Sequence, residues 1–217
     1  MKVKTSLLIQ LGLFLLGCGV CAYYWTILPD RIPTHWNIHN QVDAYGSKTT
    51  TLILLPSAGL ISLFLTLVLP KLSPRNFEID RFETTFAMAM VFVAALFLYL
   101  SIIILRATLT NSLDISRMIM AGIFGFFAGF GNLLGRVRRN FYMGIRTPWT
   151  LASEKVWDAT HRSAGHLWFV VGLIGAALAL VGMPVVASIV LITVMALWPV
   201  VNSYFLYQKL EGKPSNG

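Results

Sequence analysis

Between Arg162 and Lys209 the chain contains no Asp, Glu, Lys or Arg. A water-facing surface cannot be built from such a stretch, because soluble domains devote about a quarter of their residues to charge. It is long enough for two bilayer-crossing helices, each needing about 20 apolar residues. Gly182, Met183 and Pro184 supply a turn, so spans are predicted at 167–181 and 185–207. Four more apolar runs precede them, at 5–25, 51–69, 84–105 and 118–134.

In hydrocarbon every backbone polar group must be paired internally. The runs show no period-two alternation, so all six read as helices. The 217 residues are 56% apolar and only 12% charged, which excludes soluble, disordered and disulfide-stapled chains. The predicted fold is an all-α integral membrane protein, a bundle of six transmembrane helices. It divides into 1–70 with the first two spans, 71–134 with the third and fourth, and 135–217 with the last two.

Cationic residues orient the bundle. Lys2, Lys4, Lys71, Arg75, Arg81, Arg136, Arg138, Arg139, Arg146, Lys155, Arg162, Lys209 and Lys213 fall on one side, against Arg31, Lys48, Arg106 and Arg117 on the other. Both termini are therefore expected to be cytoplasmic. The net charge of +8 reflects this asymmetry and attraction to membrane lipid. Direct nucleic-acid contact is not expected, since no basic stretch sits on a soluble module. Lys2 and Lys4 followed by Leu15-Leu16-Gly17-Cys18 resemble a cleavable leader. The apolar run continues to Trp25, so it is read as a first span. Cys18 and Cys21 have C-x-x-C spacing, but with no His or carboxylate nearby they read as small packing residues.

The fourth span carries Gly122, Gly125, Gly129, Gly131 and Gly135. Two G-x-x-x-G spacings among them permit close backbone approach, within the bundle or across a dimer. Asn132, near the inner end, is expected to find a partner inside the bundle.

Polar residues concentrate in an outer loop, 28–50, and an inner loop, 135–166. In the outer loop Pro29 and Pro33 oppose a helix, while Asn37, Asn40 and Gly46 suggest turns. Trp25, Trp36 and Tyr45 suit an interfacial aromatic belt. His35, His39 and Asp43, four apart, would suit zinc if the segment were helical. Ordinary loop hydrogen bonding or an extracellular ligand surface are the other readings.

In the inner loop, Arg136, Arg138 and Arg139 suit phosphate headgroups. Thr147-Pro148 opens a turn, and Ser153 is an N-cap with Glu154 in the first helical turn. Helical spacing puts Glu154, Trp157, Asp158 and His161 on one face, with Asp158 able to pair with Arg162. That face reads as a salt-bridged amphipathic helix in the headgroup region. Alternatively, Glu154, Asp158 and His161 hold a metal in a membrane enzyme. His166 points elsewhere. No G-x-S-x-G, H-E-x-x-H or P-loop occurs, and no charge sits mid-span as a transporter would often need. No catalytic residue and no cofactor is assigned, and a small transporter stays a further alternative.

Two motifs resemble the SdpI family of bacterial toxin-immunity and signalling membrane proteins. The outer L-P-x-x-I-P-x-H-W run from Leu28 looks like an N-terminal domain of unknown function found in many members. The inner R-T-P-W-T-L-x-S-E-x-V-W-x-x-T-H-R run at 146–162, after Gly131-Asn132 and Gly144-Ile145, looks like the family signature. The pattern departs at Asn40, where a glycine is usual, and asparagine best tolerates a left-handed backbone there. The resemblance implies a bacterial cytoplasmic-membrane protein that protects against a secreted peptide toxin. It also implies a receptor role, recruiting a cytoplasmic transcriptional repressor. Expected outer ligand contacts are His35, Trp36, Asn40, Asp43 and Lys48. The expected inner site is Asn132, Arg139, Asn140, Gly144, Arg146, Thr147, Pro148, Trp149, Thr150, Glu154, Trp157, His161 and Arg162.

Overall fold

The computed structural model describes residues 3–75, 77–110 and 114–212. Lys2 and Lys213, two of the cations that orient the bundle, lie outside them. Helix α1 runs Val3–Trp25, α2 Lys48–Val68, α3 Glu83–Leu109, α4 Ile115–Leu134, α5 Pro148–Ala152, α6 Glu154–Leu180 and α7 Val185–Glu211. All but α5 belong to six segments long and apolar enough to cross a membrane. Pro56 and Pro199 lie inside α2 and α7, where neighbouring helices can satisfy the freed carbonyls. The inner-loop helix and the fifth span, expected as separate pieces, are one continuous α6. No glycine cap or proline intervenes between Glu154 and Leu180, so nothing stops propagation.

The chain reverses at every connection. The loop 135–153 therefore lies at the bundle end that also receives the start of α1 and the end of α7, where Ser153 Oγ donates to Glu211 Oε1 at 2.7 Å. This is called the signature end below, and the other the hairpin end.

The outer loop is more ordered than turns alone would make it. β1 (Arg31–Trp36) and β2 (Val42–Ser47) form an antiparallel hairpin. Pro33 is tolerated because a two-stranded ribbon consists only of edges. Asn37 Oδ1 accepts from the His39 and Gln41 amides at 2.9 and 3.0 Å, which shapes the turn. Asn40 takes φ +61°, the left-handed conformation expected of it. Ile32 at the base is fully buried with Leu28, Cys21, Leu52 and Leu105, and this apolar plug anchors the hairpin.

Packing falls into two groups. Helices α1, α2 and α3 pack mutually around buried polar groups, where Ser62 and Thr66 donate to Gln10 Oε1 at 3.3 and 3.0 Å. Helices α4 and α6 pack closely, flanked by α7. A Cβ at Gly131 would come within 2.8 Å of the Gly165 carbonyl oxygen, and one at Gly172 within 2.7 Å of the Ala128 amide. Gly122 and Gly129 instead face Tyr99 and Phe92 of α3, and Gly125 faces open space. Asn132 departs from expectation. Gly131 occupies the contact face, so the next residue turns outward, and Asn132 is exposed.

Candidate functional sites at the two ends of the bundle

At the signature end the loop backbone is irregular, so its amides and carbonyls need side-chain partners. Asn140, fully buried, supplies four contacts. Its Nδ2 donates to the Arg138 and Met143 carbonyls at 2.8 and 3.0 Å. Its Oδ1 accepts from the Tyr142 and Met143 amides at 2.7 and 2.8 Å. Thr147 caps α5, and a capping box with Thr150 closes the turn that Pro148 begins. Thr150 Oγ1 also donates to the Ile145 carbonyl at 2.8 Å, and Thr147 Oγ1 meets Ser203 Oγ of α7 at 3.0 Å. Ser153 caps α6 by accepting from the Val156 amide.

Trp157 and His161 are both fully buried, their rings stacked with centroids 4.0 Å apart. Trp157 Nε1 donates to the Val137 carbonyl at 2.7 Å. His161 Nδ1 donates to the Trp157 carbonyl at 2.8 Å, and Nε2 accepts from the Ile145 amide at 3.0 Å. Opposite partners on the two nitrogens fix a neutral ring and leave neither free for a metal. Gly144, at φ +111°, passes against His161 Nε2 where any side chain would clash. The proposed metal face does not converge, because Glu154 and Asp158 turn outward while His161 is buried. Among the described residues, no three His, Cys, Asp or Glu side chains gather as a metal set.

Asp158 does not pair with Arg162. Arg138 reaches it instead, at 3.3 Å, because the loop folds back over α6, and Arg162 is exposed. Arg139 donates to the Leu151 carbonyl at 3.0 Å and approaches Glu154 at 3.7 Å, and Arg81 approaches the same carboxylate at 3.6 Å. No sequence spacing links Arg81 to the loop, so only the fold brings it to Glu154. Arg146 is exposed and donates to the Phe141 carbonyl. Trp149 rests edge-on against Tyr204 of α7.

At the hairpin end, β1 and β2 stand beside the membrane helices and leave a groove of about 550 Å³. His35, Trp36 and Asp43 line its hairpin side, and Ile119, Met120 and Ile189 its helical side. Register shifts on either side of His35 leave Thr34 and Asp43 outside the strand pairing. Such bulges re-aim side chains, and here His35 Nδ1 meets Asp43 Oδ1 at 2.5 Å across the strands. His39 lies in the turn and does not join them, because four residues apart means one face only in a helix. Asn40 and Lys48 do not line the groove. Asn40 Oδ1 accepts from the Ser116 amide and hydroxyl, both at 3.2 Å, tying the hairpin tip to the first turn of α4. Lys48 Nζ donates to the Leu28 carbonyl at 3.1 Å and pairs with Asp30 at 3.4 Å, closing the hairpin base. The helical wall was missed, since its residues look like ordinary span residues in sequence.

Residues 136–203, covering the signature loop through most of α7, match the model of the SdpI/YfhL protein family. Residues 12–60, covering most of α1, the hairpin and half of α2, match DUF1648, a domain of unknown function. The immunity protein SdpI of Bacillus subtilis (strain 168) is 29% identical over 187 residues, 85% of this chain and 87% of that protein. No solved structure matches.

Proposed function

From the match of residues 136–203 to the SdpI/YfhL family model and the likeness to the Bacillus subtilis immunity protein, we propose that the chain is a member of that family, a non-enzymatic, multi-pass immunity protein of the bacterial cytoplasmic membrane, protecting its cell from a secreted peptide toxin. The observation that carries this reading is the groove at the hairpin end. It is concave, largely apolar and large enough for several side chains, with a few polar groups at its rim, the usual character of a ligand site. The excess of Lys and Arg at the opposite end favours an external hairpin. A toxin held there is removed from the bilayer it would damage.

Survival tests the reading. Cells carrying the wild type or Ile189→Trp, which fills the groove from its lipid side, are exposed to a secreted peptide toxin over a dose series. Wild-type cells should survive at least tenfold higher doses than cells with equal membrane levels of the variant. Equal survival of both would remove the groove from the mechanism, and no protection by either would remove the immunity reading.

A receptor role is a second reading, favoured by the bond from Asn40 to Ser116. Helix α4 runs from the groove to the signature loop, so a ligand that shifts the hairpin has a route to the surface where a cytoplasmic repressor would dock. Fluorescently tagged repressor moving to the membrane on toxin addition would test it, and Asn40→Ala should weaken the movement.

A further inference from the structure

We infer that the groove recognises a cationic amphipathic peptide segment entering from the plane of the membrane, with Asp43 as the residue that reads its charge. The inference rests on the immunity reading and names the class of ligand. Among the residues lining the groove Asp43 is the only Asp, Glu, Lys or Arg; His35 sits beside it, and the rest are polar uncharged or apolar. Two cations on elements beside the groove already have carboxylates of their own, and Arg31 and Arg106 do not line it. Lys48 meets Asp30 at 3.4 Å and Arg117 meets Asp114 at 3.4 Å. Asp43 has only His35, which engages Oδ1. His35 is thus a positioning residue, holding the carboxylate at the rim while Oδ2 stays available to an ammonium or guanidinium. Asp43's side chain is 44% exposed, so a ligand reaches it without the hairpin opening.

The wall opposite sets the route. Ile189 is 47% exposed on a helix that faces lipid, so the groove opens sideways toward the bilayer. An apolar segment already lying at the interface slides in by exchanging one apolar surround for another. Its cationic residues stay at headgroup level, the depth expected for the polar face of an interfacial helix. One carboxylate above an apolar trough complements that arrangement and opposes its acidic counterpart.

The test uses the full-length protein in nanodiscs of zwitterionic lipid and two fluorescent amphipathic peptides sharing one Leu face. One carries Lys on its polar face and the other Glu. The Lys peptide should bind at least tenfold more tightly to the wild type. Asp43→Asn should erase most of that preference, about five- to tenfold, and Asp43→Lys should reverse it toward the Glu peptide. Ile189→Trp should weaken both peptides. Equal binding of the two peptides by the wild type, or a preference unchanged in Asp43→Lys, overturns the inference. The survival assay separates the two levels. Full protection by both wild type and Asp43→Asn sinks charge recognition and leaves immunity standing, whereas no protection by the wild type removes immunity itself.

Discussion

The two ends of the bundle handle polar residues in opposite ways. At the signature end the groups that shape the loop are buried and joined to backbone, as Asn140, Thr150 and His161 are, each with no exposed surface. At the hairpin end the polar pair on the groove is exposed and joined side chain to side chain, His35 to Asp43, 67% and 44% exposed. The first arrangement specifies a loop, because a buried polar group without its partner is costly. The second specifies almost nothing about the fold, because an exposed side-chain pair contributes little. What it does is present hydrogen-bonding groups beside an apolar trough. One end is built to keep a shape and the other to meet something.

Mutations can break that contrast. The largest effect is expected for Asn140→Leu, which leaves two amides and two carbonyls without their partner, at roughly 3–5 kcal/mol of stability. Thermal unfolding in detergent would read it, and a change below about 1 kcal/mol would mean that the loop does not depend on this knot. Gly131→Ala comes next, at about 2 kcal/mol, since its methyl group meets the α6 backbone. An unchanged melting temperature would show that α4 and α6 separate freely. Arg146→Ala should cost about 1 kcal/mol or less, because the side chain is exposed and bonded to one carbonyl. It should nevertheless abolish protection at normal membrane levels, and full survival would make the arginine purely structural.

At the other end, His35→Ala should change stability by under about 1 kcal/mol and still lower protection. A large loss of stability would erase the contrast. Asn40→Gly should be smallest, within a few tenths of a kcal/mol. Relief of the left-handed backbone offsets the lost contacts to Ser116, and a drop beyond about 1 kcal/mol would make the tip a structural anchor.

Legibility in the sequence follows physical range. The six spans were plain because a bilayer demands long apolar runs, and residue type alone reveals them. Caps were equally plain. Ser153 and Thr147-Pro148 act within four residues and did as expected. The left-handed turn at Asn40 was local too. What failed was non-local. The alternation within β1 and β2 is only six residues per strand and is interrupted by bulges, so a hairpin looked like a set of turns. Helical spacing offers Arg162 to Asp158, yet Asp158 pairs with Arg138 because the loop doubles back over α6. A polar residue in a span is expected to turn inward, yet Asn132 is exposed because its neighbour Gly131 takes the contact face. The alternative that makes His161 a metal ligand rests on residue type alone, and burial with two backbone partners makes it a structural post instead.

The division into two helix groups has a consequence for how the protein is made. Synthesis delivers α1, α2 and α3 first, and these three already pack on one another with Gln10 of α1 bonded to Ser62 and Thr66 of α2. They can settle while the ribosome is still working. Helix α4 emerges next with its glycine face bare, and its principal partner, α6, follows only after the whole signature loop has been translated. The loop therefore folds after α6 has been made, against a helix pair that closes around it, and α7 then joins it through Ser203 and Tyr204. The polar contacts of Asn140 and His161 arrive within one stretch of chain, while Thr147 waits for a later helix, where it meets Ser203 of α7.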